Sequence, residues 1–306
     1  MTAHIVRRAI IPAGDFGAGF LPAAKAVPQE MLPLVDRPLI QYAVEEALAA
    51  GIDEIVIVTG RGKGAIEDHF DFATELEDAL RRNDKRGALD AIEASRVRCG
   101  VIAYVRQQEP LGLGHALWCA RHVVGNEPFA VLVPNEVIQA KAPCLAQMAA
   151  GYRQTGGNMV AVTPVARNRA ARYGVIAATR RDDRLLAASG VAARPADGDG
   201  TEKWAAIGRF ILDSTMLGRL GAAGEIPFAD ALAGSADDGA LYGYAFAGRH
   251  FDCDDALGLL EANLAFTLAR ADLAPAARGL LSRYAHRADE TNWPPPAAAR
   301  KLRIPA

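Results

Sequence analysis

The sequence predicts an α/β fold with a mainly parallel sheet covered by helices. The first observation is that residues 5 to 134 alternate apolar, β-branched runs with segments of helical periodicity at short intervals. The second is a Gly- and Pro-rich stretch, Ala13 to Gln29, that directly follows the first apolar run. The third is a length of 306 residues with 51% hydrophobic and 23% charged residues, which is ordinary for a chain with a sizeable core.

The first half of the chain supplies strands and helices in alternation. Ile5 to Pro12 is predicted as a strand because it is apolar and ends at the Gly-rich stretch. The next helix has Pro38 in its first turn and ends at Gly51, which are the residues that favour a helix start and stop. The predicted strands that follow are "DEIVIVTG", "VIAYV" and "FAVLVP", and the predicted helices are "GAIEDHFDFATELEDALRRNDKRGALDAIEAS" and "GHALWCARHVVG".

The second half is richer in strands. From about residue 158 the predicted strands are "NMVAVTPV", "GVIAAT", "AAIGRFIL" and "YGYAFA", and helices return from about residue 254. The polar, Gly-rich stretch from Arg194 to Trp204 is predicted as an exposed loop. The tail "TNWPPPAAARKLRIPA" is predicted as an extended strap, because consecutive prolines do not form a helix.

Composition and charge exclude several classes of protein. The formal net charge of -2 gives no basic field for nucleic acid. The apolar runs are shorter than a membrane span, and the N-terminus shows no secretory signal. The four cysteines form no C-x-x-C pair, so we expect reduced thiols in a cytoplasmic protein, with Cys253 a small buried residue.

The ends of the predicted strands mark the expected ligand site, because open α/β sheets bind ligands at the carboxyl ends of their strands. The ends lie at Ala13–Gln29, Gln107–His115, Pro134–Glu136 and Phe251–Asp252. The first of these looks like a phosphate loop, in which backbone N–H groups cradle the anion. However, it carries Asp15 in its middle and no base between Arg8 and Lys25.

Read together, these strand ends resemble bacterial UTP–glucose-1-phosphate uridylyltransferase over residues 5 to about 270. The segments that carry the resemblance are "EMLPLVDRPLIQYAVEEALAAGIDEIVIVTGRGKGAIEDHF", "YVRQQEPLGLGHAL", "RYGVI", "IGRFIL" and "FDCDDALG". The resemblance implies a nucleotide-diphospho-sugar transferase (Rossmann-like) fold, with a mixed sheet and a small sugar-side subdomain. It also implies that a nucleotidyltransferase domain covers residues 1–272, with a nucleotide-binding half at about 5–150 and a sugar-side half at 151–253. Residues 273–306 would then form a C-terminal helix and the Pro-rich tail.

The implied reaction is the attack of glucose-1-phosphate on the α-phosphorus of UTP, which yields UDP-glucose and pyrophosphate. The family's nucleotide-binding positions fall on Ala13, Gly14, Gly17, Glu30, Gln107 and Gly112 of this sequence. Its sugar-binding positions fall on Tyr173, Gly174 and Ala193, and its metal positions on Asn135 and Asp252. The resemblance further implies Mg²⁺ and a homodimer or homotetramer. No nucleic-acid or membrane partner is expected, given the net charge and the short apolar runs.

Several residues that carry charge in the family are replaced here. The family's loop reads G-x-G-T-R-x-x-P-x-T-x-x-x-P-K, and this chain has Asp15 for the first glycine, Gly19 for the Arg and Gln29 for the Lys. A metal-binding Asp has become Asn135, and a Lys after the "C-G-N" segment has become Ala256. The sugar-binding Glu has become Ala193. Arg194 and Lys25 remain as positively charged candidates for a catalytic role, although Lys25 is not the family's catalytic lysine.

Three hypotheses follow from this pattern. The first is a copy that is weak or inactive in transfer, keeps part of the uridine and sugar pocket, and forms mixed oligomers with an active relative. The second is a working enzyme with a rearranged site that uses Arg194, Lys25 and Asp252. The third is an interaction protein without a ligand. Replacing a single transition-state donor typically costs ~10²–10³ in rate, which favours the first.

Overall fold

The computed structural model describes residues 5–164, 174–192, 203–221 and 224–287. The chain divides into two compact units, residues 1–262 and 263–306. The first unit contains the sheets and every element of the candidate site. No helix within the described ranges has the length and hydropathy needed to cross a membrane.

The strands, in chain order, are β1 Arg8–Ala13, β2 Pro33–Leu34, β3 Arg37–Pro38, β4 Glu54–Thr59, β5 Ile102–Arg106, β6 Phe129–Leu132, β7 Glu136–Gln139, β8 Asn158–Pro164, β9 Val175–Arg180, β10 Leu185–Ala192, β11 Lys203–Leu212, β12 Leu241–Ala245 and β13 Arg249–Asp252. In the described chain, nine of them form one sheet in the order β5-β4-β1-β6-β11-β8-β12-β10-β9. β7 pairs with β13, and β2 with β3, in two small sheets.

The helices, in chain order, are α1 Leu39–Ala49, α2 Gly64–Phe70, α3 Thr74–Arg82, α4 Arg86–Ser95, α5 Leu113–Cys119, α6 Arg121–Val124, α7 Cys144–Thr155, α8 Thr215–Arg219, α9 Phe228–Asp237, α10 Ala256–Ala269 and α11 Ala274–Arg287. Three short 3₁₀ turns, Ala18–Phe20, Ala23–Lys25 and Gln29–Met31, lie between β1 and β2. Buried side chains pack on both faces of the large sheet.

The large sheet is mixed, and this confirms the predicted fold class. β5, β4, β1 and β6 pair in parallel, so their carboxyl ends lie at one edge. Beyond β6 the pairing is antiparallel through β11, although β12 is again parallel to β8. Ile10 and Ile57, in the middle of β1 and β4, are fully buried, as expected for strands covered by helices on both faces.

Several sequence-based boundaries need correction. The helical segment predicted at 64–95 is three helices, because the chain turns after Phe70 and again at Asp84, which has a left-handed φ of 52°. The segment predicted at 114–125 is divided into α5 and α6 at Ala120. Lys203 and Trp204, placed in a loop by the sequence, begin β11. The rest of that loop and the proline tail lie outside the described residues.

A buried ion pair connects the two halves of the large sheet to its helical layer. Arg209 of β11 is 1% exposed, and its Nε and Nη2 atoms lie 3.0 and 2.9 Å from Glu46 Oε2 of α1. Arg209 Nη1 also donates to the carbonyls of Val133 and Gly208, both at 2.9 Å. Glu46 Oε1 accepts the Leu145 N–H at the start of α7. Four elements therefore depend on this pair.

We expect Arg209→Met to lower the free energy of unfolding by about 3–5 kcal/mol, because it leaves the Glu46 carboxylate buried without its cation. Replacing both partners by apolar residues, Arg209→Met with Glu46→Leu, is expected to cost less than the sum of the two single changes. Urea denaturation of the three variants measures these differences.

The matched control is Arg86→Met, which removes an arginine whose ion pair with Asp84 is exposed, with side-chain exposures of 86% and 80%. It is expected to change the free energy of unfolding by less than about 1 kcal/mol. Equal effects of the two Arg→Met changes would contradict the role given to Arg209.

Candidate active site

The predicted strand ends meet at one edge of the first unit. Gln107 follows β5, and its N–H donates to the Thr59 carbonyl at the end of β4 at 2.8 Å. The Cys253 N–H donates to the Asn135 carbonyl at 2.8 Å, which joins the segment after β13 to the segment after β6. The small β7–β13 sheet, in which Asp252 pairs with Glu136, holds this junction in register.

The loop after β1 turns at Gly17. Gly17 has φ 67°, a left-handed conformation that favours glycine, and its Cα faces the Gln29 side chain closely. Asp15 is exposed, and its Oδ1 accepts the Phe16 N–H at 2.7 Å. The loop therefore turns at a left-handed glycine, and an acid lies on its exposed side.

Gln29 lies beneath this loop. It is 3% exposed, and within the described chain its Oε1 has no hydrogen-bond partner. An ideal Cβ on Gly17 would lie 2.9 Å from that oxygen. At this position the resemblance places a lysine, whose ammonium is charged and only donates, whereas the Gln29 amide is neutral and both donates and accepts.

Glu30 is held by a lysine that the sequence analysis did not select. Lys63 Nζ lies 2.9 and 2.7 Å from the two oxygens of Glu30, and both side chains are nearly fully buried. Burial raises the pKa of the Glu30 carboxyl, and the Lys63 ammonium opposes the rise. The pair ties the 3₁₀ turn below the loop to the residue before α2. The signal for Lys63 was its place in "GRGKG", directly after the end of β4.

At Gly19 the backbone of another segment occupies the space of a side chain. An ideal Cβ on Gly19 would lie 2.0 Å from the Asp254 carbonyl oxygen and 3.5 Å from the Asp255 Cα. Gly19 does not have a positive φ, so the constraint is the close approach of the two backbones. Asp254 was not among the predicted site residues, although it follows the predicted Asp252 by two positions.

The two predicted metal positions lie beside the same segment. Asn135 Nδ2 donates to Asp254 Oδ1 at 3.2 Å, and the Asp254 N–H donates to Asp252 Oδ1 at 3.1 Å. Two carboxylates and one side-chain amide therefore lie close together here, and their oxygens are of the kind that Mg²⁺ accepts. Within the described ranges, no group of three or more His, Cys, Asp or Glu side chains is arranged to hold a metal ion.

Glu136 and Cys253 do not supply the carboxylate that the resemblance places at position 135. Glu136 Oε2 accepts the Gly208 N–H at 2.9 Å and lies 3.0 Å from His250 Nε2, so this side chain is committed to β11 and β13. Burial, together with the smaller effect of nearby carboxylates such as Asp252, raises the pKa of the Cys253 thiol to about 12. Cys253 is therefore a buried neutral thiol, as expected from the sequence.

Gln107 and Gly112 lie together at the other side of the loop. Gln107 is 4% exposed, and its Nε2 donates to the Gly112 carbonyl at 3.2 Å. An ideal Cβ on Gly14 would lie 2.5 Å from Gln107 Oε1, so this oxygen lies against the turn that follows Ala13. The positions expected to bind nucleotide are thus adjacent.

Of the remaining predicted residues, two lie within the described structure and three lie outside it. Gly174 lies just before β9, and its carbonyl accepts the Ala206 N–H at 2.8 Å. Lys25 ends an exposed 3₁₀ turn. Tyr173, Ala193 and Arg194 lie outside the described residues.

The chain matches known proteins over most of its length. The family model described as "Nucleotidyl transferase" matches residues 8–238. The UTP–glucose-1-phosphate uridylyltransferase of Komagataeibacter xylinus is 41% identical over 253 residues, which cover 81% of this chain and 89% of that protein. The protein of the same name from Bacillus subtilis is 39% identical over 287 residues, 91% of this chain and 98% of that protein.

Solved structures of the same kind share the fold. The UTP-bound UGPase of Acinetobacter baumannii superposes with a TM-score of 0.84 at 33% identity, covering 91% of this chain and 99% of that one. A UDP-glucose pyrophosphorylase complexed with UDP-glucose superposes with a TM-score of 0.75 at 35% identity, covering 87% and 100%.

We expect Gly19→Ala to lower the free energy of unfolding by about 1–3 kcal/mol, because the added methyl group meets the Asp254 carbonyl and forces one backbone to move. Urea denaturation measures the change.

Gly87→Ala is the matched control. Gly87 lies in α4 with nothing within 4 Å of an added Cβ, so the same substitution is expected to be neutral or slightly stabilising. If both variants unfold at the same urea concentration as the parent, the result contradicts a close approach of the Asp254 backbone to Gly19.

Proposed function

Because the chain belongs to the nucleotidyl transferase family and, within it, to the UTP–glucose-1-phosphate uridylyltransferases, we propose that it keeps a uridine-nucleotide pocket but transfers the uridylyl group slowly or not at all. The observation that carries this proposal is the occupation of the side-chain space at Gly19 by the Asp254 backbone. The proposed ligands are UTP or UDP-glucose and glucose-1-phosphate.

The proposed chemistry explains why this occupation matters. When glucose-1-phosphate attacks the α-phosphorus of UTP, the transferring group and the leaving pyrophosphate carry several negative charges. Catalysis of phosphoryl transfer depends on positioning and on groups that neutralise those charges. Gly19 and Gln29 supply no positive charge where the family has Arg and Lys.

The loop from Ala13 to Gln29 contains one acid, Asp15, and one base, Lys25, and a further acid, Asp254, lies beside it. Asp15 lies on its exposed side, and the Asp254 carbonyl and carboxylate lie near Gly19 and Asn135. A carboxylate about 4 Å from a phosphate charge costs roughly 1 kcal/mol in water and several times more when partly buried. We therefore infer that the triphosphate binds weakly.

We propose that Mg²⁺ is held by Asp252 and by the side-chain oxygen of Asn135, with Asp254 as an additional carboxylate close by. When bound, the ion would neutralise phosphate charge. To hold the ion, Asn135 would have to present its amide oxygen in place of the nitrogen that now donates to Asp254. This requirement weakens the site.

The base and sugar sides of the pocket are proposed to remain. Gln107, Gly112 and Gly14 are adjacent at the base side, and Gly174 marks the sugar side. We further propose that the protein acts in the cytoplasm as a homodimer or homotetramer, or in mixed oligomers with an active relative.

One observation favours a second candidate function, a working uridylyltransferase with a rearranged site. The carboxylate lost at Asn135 has a counterpart in Asp254, 3.2 Å away. In that case Asp252 and Asp254 would share the ion, and Lys25 with Arg194 would supply the positive charge. A rate measurement separates the two candidates.

Purified protein is expected to release pyrophosphate from UTP and glucose-1-phosphate at least ~10³-fold more slowly than a family member that carries the loop Arg and Lys, because single transition-state donors are worth ~10²–10³. The same assay run in reverse, with UDP-glucose and pyrophosphate, excludes a preference for one direction. A kcat near ~10 s⁻¹, which is typical of enzymes, would establish the second candidate instead.

Restoring the charged groups is expected to raise the rate only when position 254 is changed with them. The combined variant is Asp15→Gly, Ala18→Thr, Gly19→Arg, Gln29→Lys, Asn135→Asp and Asp254→Gly. Asp254→Gly removes the carboxylate beside Asn135 and lets the backbone over Gly19 move away. Groups that act as one catalytic unit are strongly non-additive, so single reversions are expected to do little.

The control is the same variant with Asp254 retained, which is expected to melt at a lower temperature and to gain no activity. Pyrophosphate release and thermal melting are measured on both. A folded six-fold variant without any gain would show that the lost activity depends on other positions, such as Ala193 or Ala256.

A further inference from the structure

A chain of hydrogen bonds connects Gln107 to two side chains of α5, those of His115 and Cys119. His115 lies in the first turns of α5, and its Nδ1 is 2.9 Å from Gln107 Nε2. His115 Nε2 is 3.8 Å from the sulfur of Cys119, one turn further along the helix. The His115 ring is parallel to that of Trp118, with 6.0 Å between ring centroids and 14° between planes, and Arg121 covers Trp118. The imidazole is therefore held in one orientation.

The direction of each hydrogen bond in this chain is determined by its fixed end. The Gly112 carbonyl accepts only, so the nitrogen of the Gln107 amide must face it, as the 3.2 Å contact shows. The opposite orientation would place two acceptor oxygens against each other. Because the same amide nitrogen also faces His115 Nδ1, that ring nitrogen must be unprotonated and accept.

The other ring nitrogen then carries the proton. His115 Nε2–H donates to the Cys119 sulfur, a weak acceptor. Burial raises the pKa of the Cys119 thiol, so this residue remains a neutral thiol. Each group in this chain therefore has a fixed role: Gln107 Nε2 donates to His115 Nδ1, and His115 Nε2–H donates to the Cys119 sulfur.

The end of the chain is a single acceptor beside the loop. With its nitrogen held by Gly112 and His115, Gln107 presents Oε1 toward Gly14. Uracil carries a hydrogen on N3, whereas cytosine has a lone pair there, so an acceptor favours uracil and a donor would favour cytosine. Only a fixed amide can make this distinction, because a flipped glutamine offers the opposite group.

We propose that His115 is a positioning residue which, through its unprotonated Nδ1, holds the Gln107 amide with its oxygen toward the base and so sets the preference for uracil over cytosine. This inference rests on the proposed uridine-nucleotide pocket. It assigns to His115 a role that requires no contact with the nucleotide.

The test is the affinity ratio for UTP and CTP, measured by calorimetry on the parent and three variants. His115→Leu removes the acceptor and is expected to reduce the UTP preference about 3- to 10-fold, the value of one hydrogen bond. His115→Asn keeps a side-chain oxygen that can accept from Gln107, and is expected to retain most of the preference. His122→Leu makes the same change at an exposed histidine of α6 and is expected to alter nothing.

The outcomes distinguish this inference from the proposed function. A parent without any preference for UTP would refute the uridine pocket and the inference together. A parent with the preference, and a folded His115→Leu variant that keeps it, would refute the role of His115 alone. Equal losses in His115→Leu and His115→Asn would show that the ring acts by packing and would also overturn the inference.

A spectroscopic measurement on the parent keeps the inference testable if His115→Leu does not fold. Nitrogen-15 spectra separate protonated from unprotonated imidazole nitrogens, and comparison with His115→Asn assigns the signals of this ring. We expect an unprotonated Nδ1 and a protonated Nε2. The reverse tautomer would overturn the proposal.

Discussion

The rest of the site depends on the buried ion pair between Arg209 and Glu46. It fixes the end of β6 through the Val133 carbonyl, only two residues before Asn135. The same pair holds α1, and through Leu145 the start of α7, against the sheet. A charge so deeply buried is expensive to leave unpaired. The ion pair therefore keeps these four elements in one fixed arrangement. The strand end that carries the candidate metal position therefore has little freedom of its own.

On that rigid edge, the replaced residues are neighbours and not isolated losses. The backbone of Asp254 fills the space beside Gly19, and its carboxylate accepts from Asn135. Gln29 contributes a buried acceptor below the same loop. Where the family resemblance implies a positive, donor-rich site, these residues present mainly oxygen atoms. The base side, where Gln107 is held by Gly112 and His115, keeps its donors and acceptors paired.

Sequence reasoning predicts what depends on local pattern. The parallel strands and their ends follow from continuous apolar runs, which is why the loop after β1, Gln107 and Asn135 are correctly brought to one edge. β10 was missed, since "LLAASGVA" contains few β-branched residues and is bulged near Gly190. α7 and α9 were missed because small and polar residues obscure their apolar faces. The Gly19–Asp254 contact joins distant parts of the chain, so no spacing could indicate it.

That contact also bears on which substitutions the chain tolerates. Once the segment at Asp254 lies against a glycine at position 19, a mutation that returned a large side chain there would meet backbone, and one that altered Asp254 alone would leave Asn135 without its acceptor. A substitution at position 19 or 254 alone is then expected to destabilise the protein. The two together are expected to cost less than the sum, because the effects of contacting residues do not add. The contact therefore couples substitutions at position 19 to substitutions at position 254.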